Sequence, residues 1–248
     1  MKTVFELAKE ALVQAVTREA IVFALVYFVL SFVLTAMVAI ISVIFGFIGL
    51  LILSAINNTI LNAVSIAGAA LVLGMVSLII SSSLQIVLYK GFSQIEKTKK
   101  YELSELRSWV PQRLVSTMLT MLLLIIIYLL IFGVIALPFY FLIPEIGIIV
   151  AQIFFSAGVL ISMPFFITLI PRVVLENVGP MEAISKSAHI GLHNFLFNIG
   201  AMLMLGIGFI VMFLLFFTII GIIAGPILYT IFSTIFLIKV YDENNYRR

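Results

Sequence analysis

Apolar residues run in long unbroken blocks along this chain, and the charged residues fall almost entirely between them. A bilayer core about 30 Å thick takes roughly 20 helical residues per crossing. With that ruler the blocks predict spans near 20–45, 62–89, 113–137, 146–170, 195–217 and 220–240. The last boundary falls within Phe195 to Val240, whose only charge is Lys239. Gly221 marks the turn there, because one helix of that length would be about twice as long as the bilayer is thick.

Three shorter stretches carry a different pattern. Thr3 followed by Glu6 fits a capping box. Val4, Phe5, Ala8, Ala11, Leu12, Ala15 and Val16 then make one helical stripe opposite Lys2, Glu6, Lys9 and Glu10. This predicts an interfacial helix over 3–18. Segments 102–110 and 180–192 are also short and amphipathic, and each precedes an odd-numbered span, which suggests a loose threefold repeat. The long apolar run begins only at Ala20, so no signal-peptide cleavage is expected. Asn57-Asn58-Thr59 in the first outer turn is a formal glycosylation sequon, and in so short a turn it reads as chance.

Composition sharpens the class. The 248 residues are 64% hydrophobic and 10% charged, with a mean hydropathy of +1.31, more apolar surface than a water-soluble domain can hide. The expected fold is all-α: a single polytopic membrane helical bundle over 1–248 with six transmembrane helices and short cytoplasmic amphipathic helices. The chain has no cysteine, which excludes disulfides, thiolate metal sites and a cysteine nucleophile. A net charge of +3 does not point to nucleic acid, because all 14 lysines and arginines lie in alternate connections or at the chain ends. That distribution is the positive-inside pattern, and it predicts a cell-membrane protein with both termini cytoplasmic. Glu145 is the single charge of the outer turns.

Candidate chemistry concentrates in Pro171 to Asn194, which holds both histidines. Asn177-Val178-Gly179 reads as a helix stop and Pro180 as the first residue of a new helix. On that helix Glu182, Lys186, His189 and His193 share one face, with Ile184, Ala188 and Leu192 opposite. Two histidines four apart can share a metal, with Glu182 as a third ligand. Lys186 in the middle of the stripe opposes a cation, and no HExxH pattern supplies a base, so no metal or other cofactor is expected. The other readings are a face that binds lipid headgroups or a partner, and a plain solvated face. Arg172 and Glu176, four apart after Pro164 and Pro171, suggest a kinked helix end whose charges pair locally, or a hinge beside a headgroup pocket.

The spans carry no ionisable residue away from their ends, which weighs against a proton relay or an ion-coupled pump. Uncharged polar stripes do occur. Ser77, Ser81 and Gln85 are spaced by four, a pattern that serves helix packing or else lines a polar cavity in which Gln85 is the most informative member. Lys97, Lys99 and Lys100, followed by Tyr101, Trp109 and Arg113, suit an interface with anionic lipid.

Glu176 to Ser187, ENVGPMEAISKS, resembles the helical membrane domain joined to some glycerophosphoryl diester phosphodiesterases and its stand-alone prokaryotic relatives. The match is the acidic residue after a proline-containing span, the Gly179-Pro180 turn, and Glu182, Ala183 and Ser187 on the helix leading to the next span. Tyr241-Asp242 after the last crossing and the six-span plan accompany it. The resemblance implies the architecture and membrane setting of that family without its hydrolase, which resides in a separate soluble domain. Together these features point to a non-enzymatic module that binds or helps transport a lipid or amphipathic molecule, or to the membrane subunit of a larger assembly. The expected partners are membrane lipids with anionic headgroups, or a protein partner or second copy. The alternatives are an enzyme acting on a lipid phosphate at the cytoplasmic face, with His189 or His193 as acid or base, and a structural or regulatory partner protein.

Overall fold

The structure is a computed structural model that describes residues 1–55, 59–142 and 144–247. The described residues form helices: α1 (Val4–Ala15), α2 (Arg18–Ala55), α3 (Thr59–Thr98), α4 (Leu103–Leu142), α5 (Pro144–Phe166), α6 (Leu169–Leu175), α7 (Pro180–His193), α8 (Phe195–Leu215) and α9 (Ile219–Tyr246). Five are long and apolar enough to cross a membrane, and the count rises to six if the end of α5 and α6 form one broken crossing. The fold is therefore an all-α bundle of the polytopic membrane kind. Asn57 and Asn58 of the sequon lie outside the described residues.

Helices α2 and α3, α4 and α5, and α8 and α9 form three hairpins. Neighbouring hairpins touch through α3 and α4, α5 and α8, and α9 and α2, so six helices close into a ring. Helices α2, α3 and α4, with 38, 40 and 40 residues, are each close to 60 Å long at about 1.5 Å per residue, roughly twice the hydrocarbon thickness. Their excess length builds a packed layer at the end that carries the basic residues. Phe23, Ile86, Phe92, Val173, Phe236 and Val240 are buried there, and Phe23 meets Phe92 edge-on with centroids 5.0 Å apart.

The span expected over 146–170 is bent. The axes of Gln152–Phe166 and Leu169–Leu175 meet at 47°. Pro164 lies near the end of α5 and removes an amide donor, while Pro171 sits in the first turn of α6, where its missing N–H costs nothing. Between α8 and α9 the break falls at Phe216 to Thr218. Thr218 caps α9 by accepting from the Gly221 amide at 2.9 Å. A Cβ on Gly221 would lie 1.7 Å from the Leu215 carbonyl oxygen, so only glycine lets the chain turn this tightly.

The amphipathic segments differ among themselves. Helix α1 is separate, and its capping box is present, with the Glu6 amide donating to Thr3 Oγ1 at 3.2 Å and the Thr3 amide to Glu6 Oε2 at 2.7 Å. Its apolar stripe divides in two. Leu7, Ala8, Ala11 and Ala15 are buried, mainly against α9 and α8, while Phe5, Leu12 and Val16 are exposed. Segment 102–110 is not a free surface helix. It is the first part of α4, which continues through Pro111 and is tied to α3 by Lys90–Glu105 at 2.8 Å and by the contact of Gln94 with Glu105. Helix α7 is separate and packs on α5, α4 and α6. Each amphipathic segment thus lies against the hairpin before it in ring order: 102–110 on the first, α7 on the second and α1 on the third.

Candidate functional site

The charged connections meet at the basic end, where α6, α7 and the end of α9 come together. Arg172 is fully buried. Its Nη1 donates to Glu176 Oε1 at 3.0 Å and its Nη2 to Asn245 Oδ1 at 3.0 Å, while the guanidinium lies 5.4 Å from the Tyr241 ring centroid. Tyr241 Oη donates to the same Glu176 oxygen at 2.7 Å. The charges do pair locally, as the four-residue spacing suggests, yet the pair is clamped by α9 and turned into the protein. A buried guanidinium with these partners holds α6 to α9 and leaves little for a ligand.

Beside it runs a chain of asparagines that periodicity does not reveal. Asn194 Nδ2 donates to Asn244 Oδ1 at 2.8 Å, and Asn244 Nδ2 to Asn198 Oδ1 at 2.9 Å and Val240 O at 3.0 Å. Asn198 Nδ2 in turn donates to the Pro164 carbonyl at 2.9 Å. Asn198 and Asn244 are buried, and a buried amide is tolerated only when bonded in this way. Asn198, a lone amide in an apolar stretch, is the one sequence signal for the link. The partner of each asparagine is invisible because up to 50 residues separate them.

Helix α7 presents the other half of the candidate set. Gly179 is its N-cap and Pro180 its first residue, as the stop and start signals require. The connection before it is pinned from α4: Arg113 Nη1 donates to Asn177 Oδ1 at 2.6 Å and Ser116 Oγ to the Val178 carbonyl at 3.1 Å. The buried side of α7 is Ala183, Ile184, Ser187, Ile190 and Gly191. Leu192, placed by the sequence pattern on the same side as Ile184, is exposed. A Cβ on Gly191 would stand 2.4 Å from Phe165 Cα, so α7 lies nearly backbone to backbone against α5 and its inner face is rotated towards Gly191.

Glu182, His189 and His193 accordingly face outward, with Lys186 partly covered. Lys186 Nζ is 2.6 Å from Glu182 Oε1, and this contact holds the Glu182 carboxyl below the usual carboxylate range. Lys186, His189, His193, Ser185, Ile190 and Asn194 line an open groove of about 460 Å³. Among the described residues no three histidine, cysteine, aspartate or glutamate side chains are grouped so as to hold a metal ion. The groove offers donors and positive charge, a chemistry suited to an anionic headgroup.

Gln85 and Ser81 lie apart from both clusters. Gln85 is half-buried and Ser81 exposed, whereas the neighbouring Ser82 is buried, its hydroxyl 3.6 Å from Met121 Sδ. Trp109 is not a simple interface anchor. Lys90 Nζ sits 4.0 Å and the Arg113 guanidinium 5.0 Å from its ring centroid, and its indole donates to the Val174 carbonyl at 3.0 Å. The indole thereby joins α3, α4 and α6 through cation–π contacts and one hydrogen bond.

No family model matches the chain, and neither does any curated protein or solved structure.

Proposed function

We propose that this is a non-enzymatic multi-pass membrane module that binds, or helps to move, a lipid or another amphipathic molecule at a cytoplasmic basic layer. The observation that carries the reading is the groove on α7, where Lys186, His189, His193 and Asn194 converge beside a membrane-spanning bundle. The orientation follows from the positive-inside rule applied to the end at which the basic connections collect.

The competing enzymatic reading needs a carboxylate to orient an imidazole. Glu182 is engaged by Lys186, and Glu176 by Arg172 and Tyr241, so the bonding of both favours binding over catalysis. Native mass spectrometry of the gently solubilised protein tests the proposal. Retained phospholipid is expected, with a reduced share in the Lys186→Gln/His193→Gln double variant. A lipid-free protein that instead copurifies with a stoichiometric subunit makes it the membrane part of an assembly.

A further inference from the structure

A second groove lies between α1, α8 and α9. Its volume is about 410 Å³, within the roughly 300–1,000 Å³ typical of small-molecule sites. Its walls are apolar: Phe5 and Leu12 from α1, Ile207 and Val211 from α8, and Leu228 and Phe232 from α9, with Gly208 and Gly225 lining it as well. Lys9 is its one ionisable wall residue apart from the Tyr229 phenol. Lys9 is exposed, and no carboxylate among the described residues forms an ion pair with it.

Position explains why this lysine is unusual. The sequence pattern sets Lys9 with Glu6 and Glu10, but at 100° per residue it falls between Val16 and Val13, both exposed, and beside Phe5 on the outer apolar face of α1. A lysine set in such a stripe extends its ammonium towards the headgroup level while its stem stays against hydrocarbon. Val4 of α1 packs over Gly200, one turn from Met204, so α1 begins beside the Met204 end of the groove, which Lys9 also lines. From Met204 to Leu215 the groove follows α8 for about 16 Å at 1.5 Å per residue. That is close to half the about 30 Å hydrocarbon core, the depth that an acyl chain occupies in one leaflet.

From this geometry we infer that the groove holds an acyl chain of an anionic phospholipid taken from the surrounding membrane, with its phosphate on Lys9. Length, apolar lining and a single uncompensated cation at one end together match that molecule. A neutral lipid leaves Lys9 without a partner, and a second copy of the chain would have to bring a carboxylate to it. The inference deepens the lipid-binding reading and rests on it, adding to the α7 groove a second lipid site on α1, α8 and α9.

The test is native mass spectrometry of the protein taken from bilayers of equal parts phosphatidylglycerol and phosphatidylcholine. The unaltered protein is expected to retain one phosphatidylglycerol in this groove besides the lipid of the α7 groove. Lys9→Gln should lower the phosphatidylglycerol to phosphatidylcholine ratio of this site about fivefold, the size expected for one lysine beside an anionic lipid, and Lys9→Arg should restore it. Val211→Trp, at an exposed position on the groove wall, should remove one bound lipid with an unchanged melting temperature. An unchanged ratio in Lys9→Gln, a lipid count that Val211→Trp leaves unchanged, or a dimer without lipid each overturns the inference. If Lys186→Gln lowers the lipid count while Lys9→Gln and Val211→Trp leave it unchanged, all bound lipid belongs to the α7 groove: this inference fails and the proposed function stands.

Discussion

Arg172 shows how a charge becomes part of a hydrophobic layer. Removing one partner of a buried pair leaves the other desolvated and unpaired, which typically costs about 3–5 kcal/mol. Arg172→Met is therefore expected to destabilise the protein by about 3 kcal/mol, since Glu176 keeps some solvent contact and still accepts from Tyr241; thermal unfolding in detergent checks this. Lys99 is a second informative residue. It follows the end of α3 with φ 59°, the left-handed region that disfavours a side chain by roughly 1–2 kcal/mol. Lys99→Gly should stabilise by about 1 kcal/mol, measured the same way, and a loss of stability would mean that the lysine charge matters more than its backbone.

Glu10 links residue chemistry to pH. Its carboxyl accepts from Lys2 at 2.5 Å and lies 3.3 Å from Lys239, and these cations hold it below the ordinary value of 4.5 against the opposing effect of burial. A depressed carboxylate pKa contributes stability that is present above the ordinary value and is lost as the pH falls through the folded one. Docking of α1 on α9 should therefore weaken below about pH 4.5, and Glu10→Gln should remove that pH dependence while lowering stability at neutral pH. Unfolding midpoints between pH 3 and pH 7 of the two proteins decide the matter.

Among the elements, α7 was the most legible in the chain. Gly179 and Pro180 are a stop and a start that act locally, and the beginning of the helix follows from them. Its rotation was not legible, because Ile184 and Leu192 are equally apolar and the choice between them rests on Gly191 meeting the Phe165 backbone. Gly191→Ala should cost about 1–3 kcal/mol through that overlap and should speed proteolysis within 176–180. Segment 102–110 misled for a related reason. Its polar residues set it apart from the apolar span that begins near 113, but the ties of Glu105 and Trp109 to α3 keep the helix continuous through Pro111. The stripe on α1 was seen as one face because alanines and large residues count alike in a hydrophobic pattern, whereas packing puts the alanines inside and Phe5, Leu12 and Val16 outside. The long-range contacts of Arg172, Tyr241 and the asparagines join residues 34 to 73 apart, and no local pattern encodes them.

At the scale of the molecule, six helices in a ring and three amphipathic segments at one end make a cup whose rim carries the charge. Contacts such as Lys239–Glu96 at 2.6 Å, Arg113–Asn177 and the Lys2 amide to Glu243 at 2.9 Å bring the chain start, the α3–α4 link, the α6–α7 link and the end of α9 together. Both grooves border this rim, so the lipid-binding proposal depends on the rim facing the anionic inner leaflet. Because the chain has no cysteine, single substitutions report the orientation cleanly. Ser185→Cys lies on the exposed part of α7 and Phe217→Cys in the turn between α8 and α9. A membrane-impermeant maleimide applied to intact cells should label the cysteine at 217 and reach the one at 185 only after permeabilisation. Labelling at 185 in intact cells, with 217 protected, would place the basic rim outside and contradict the proposal.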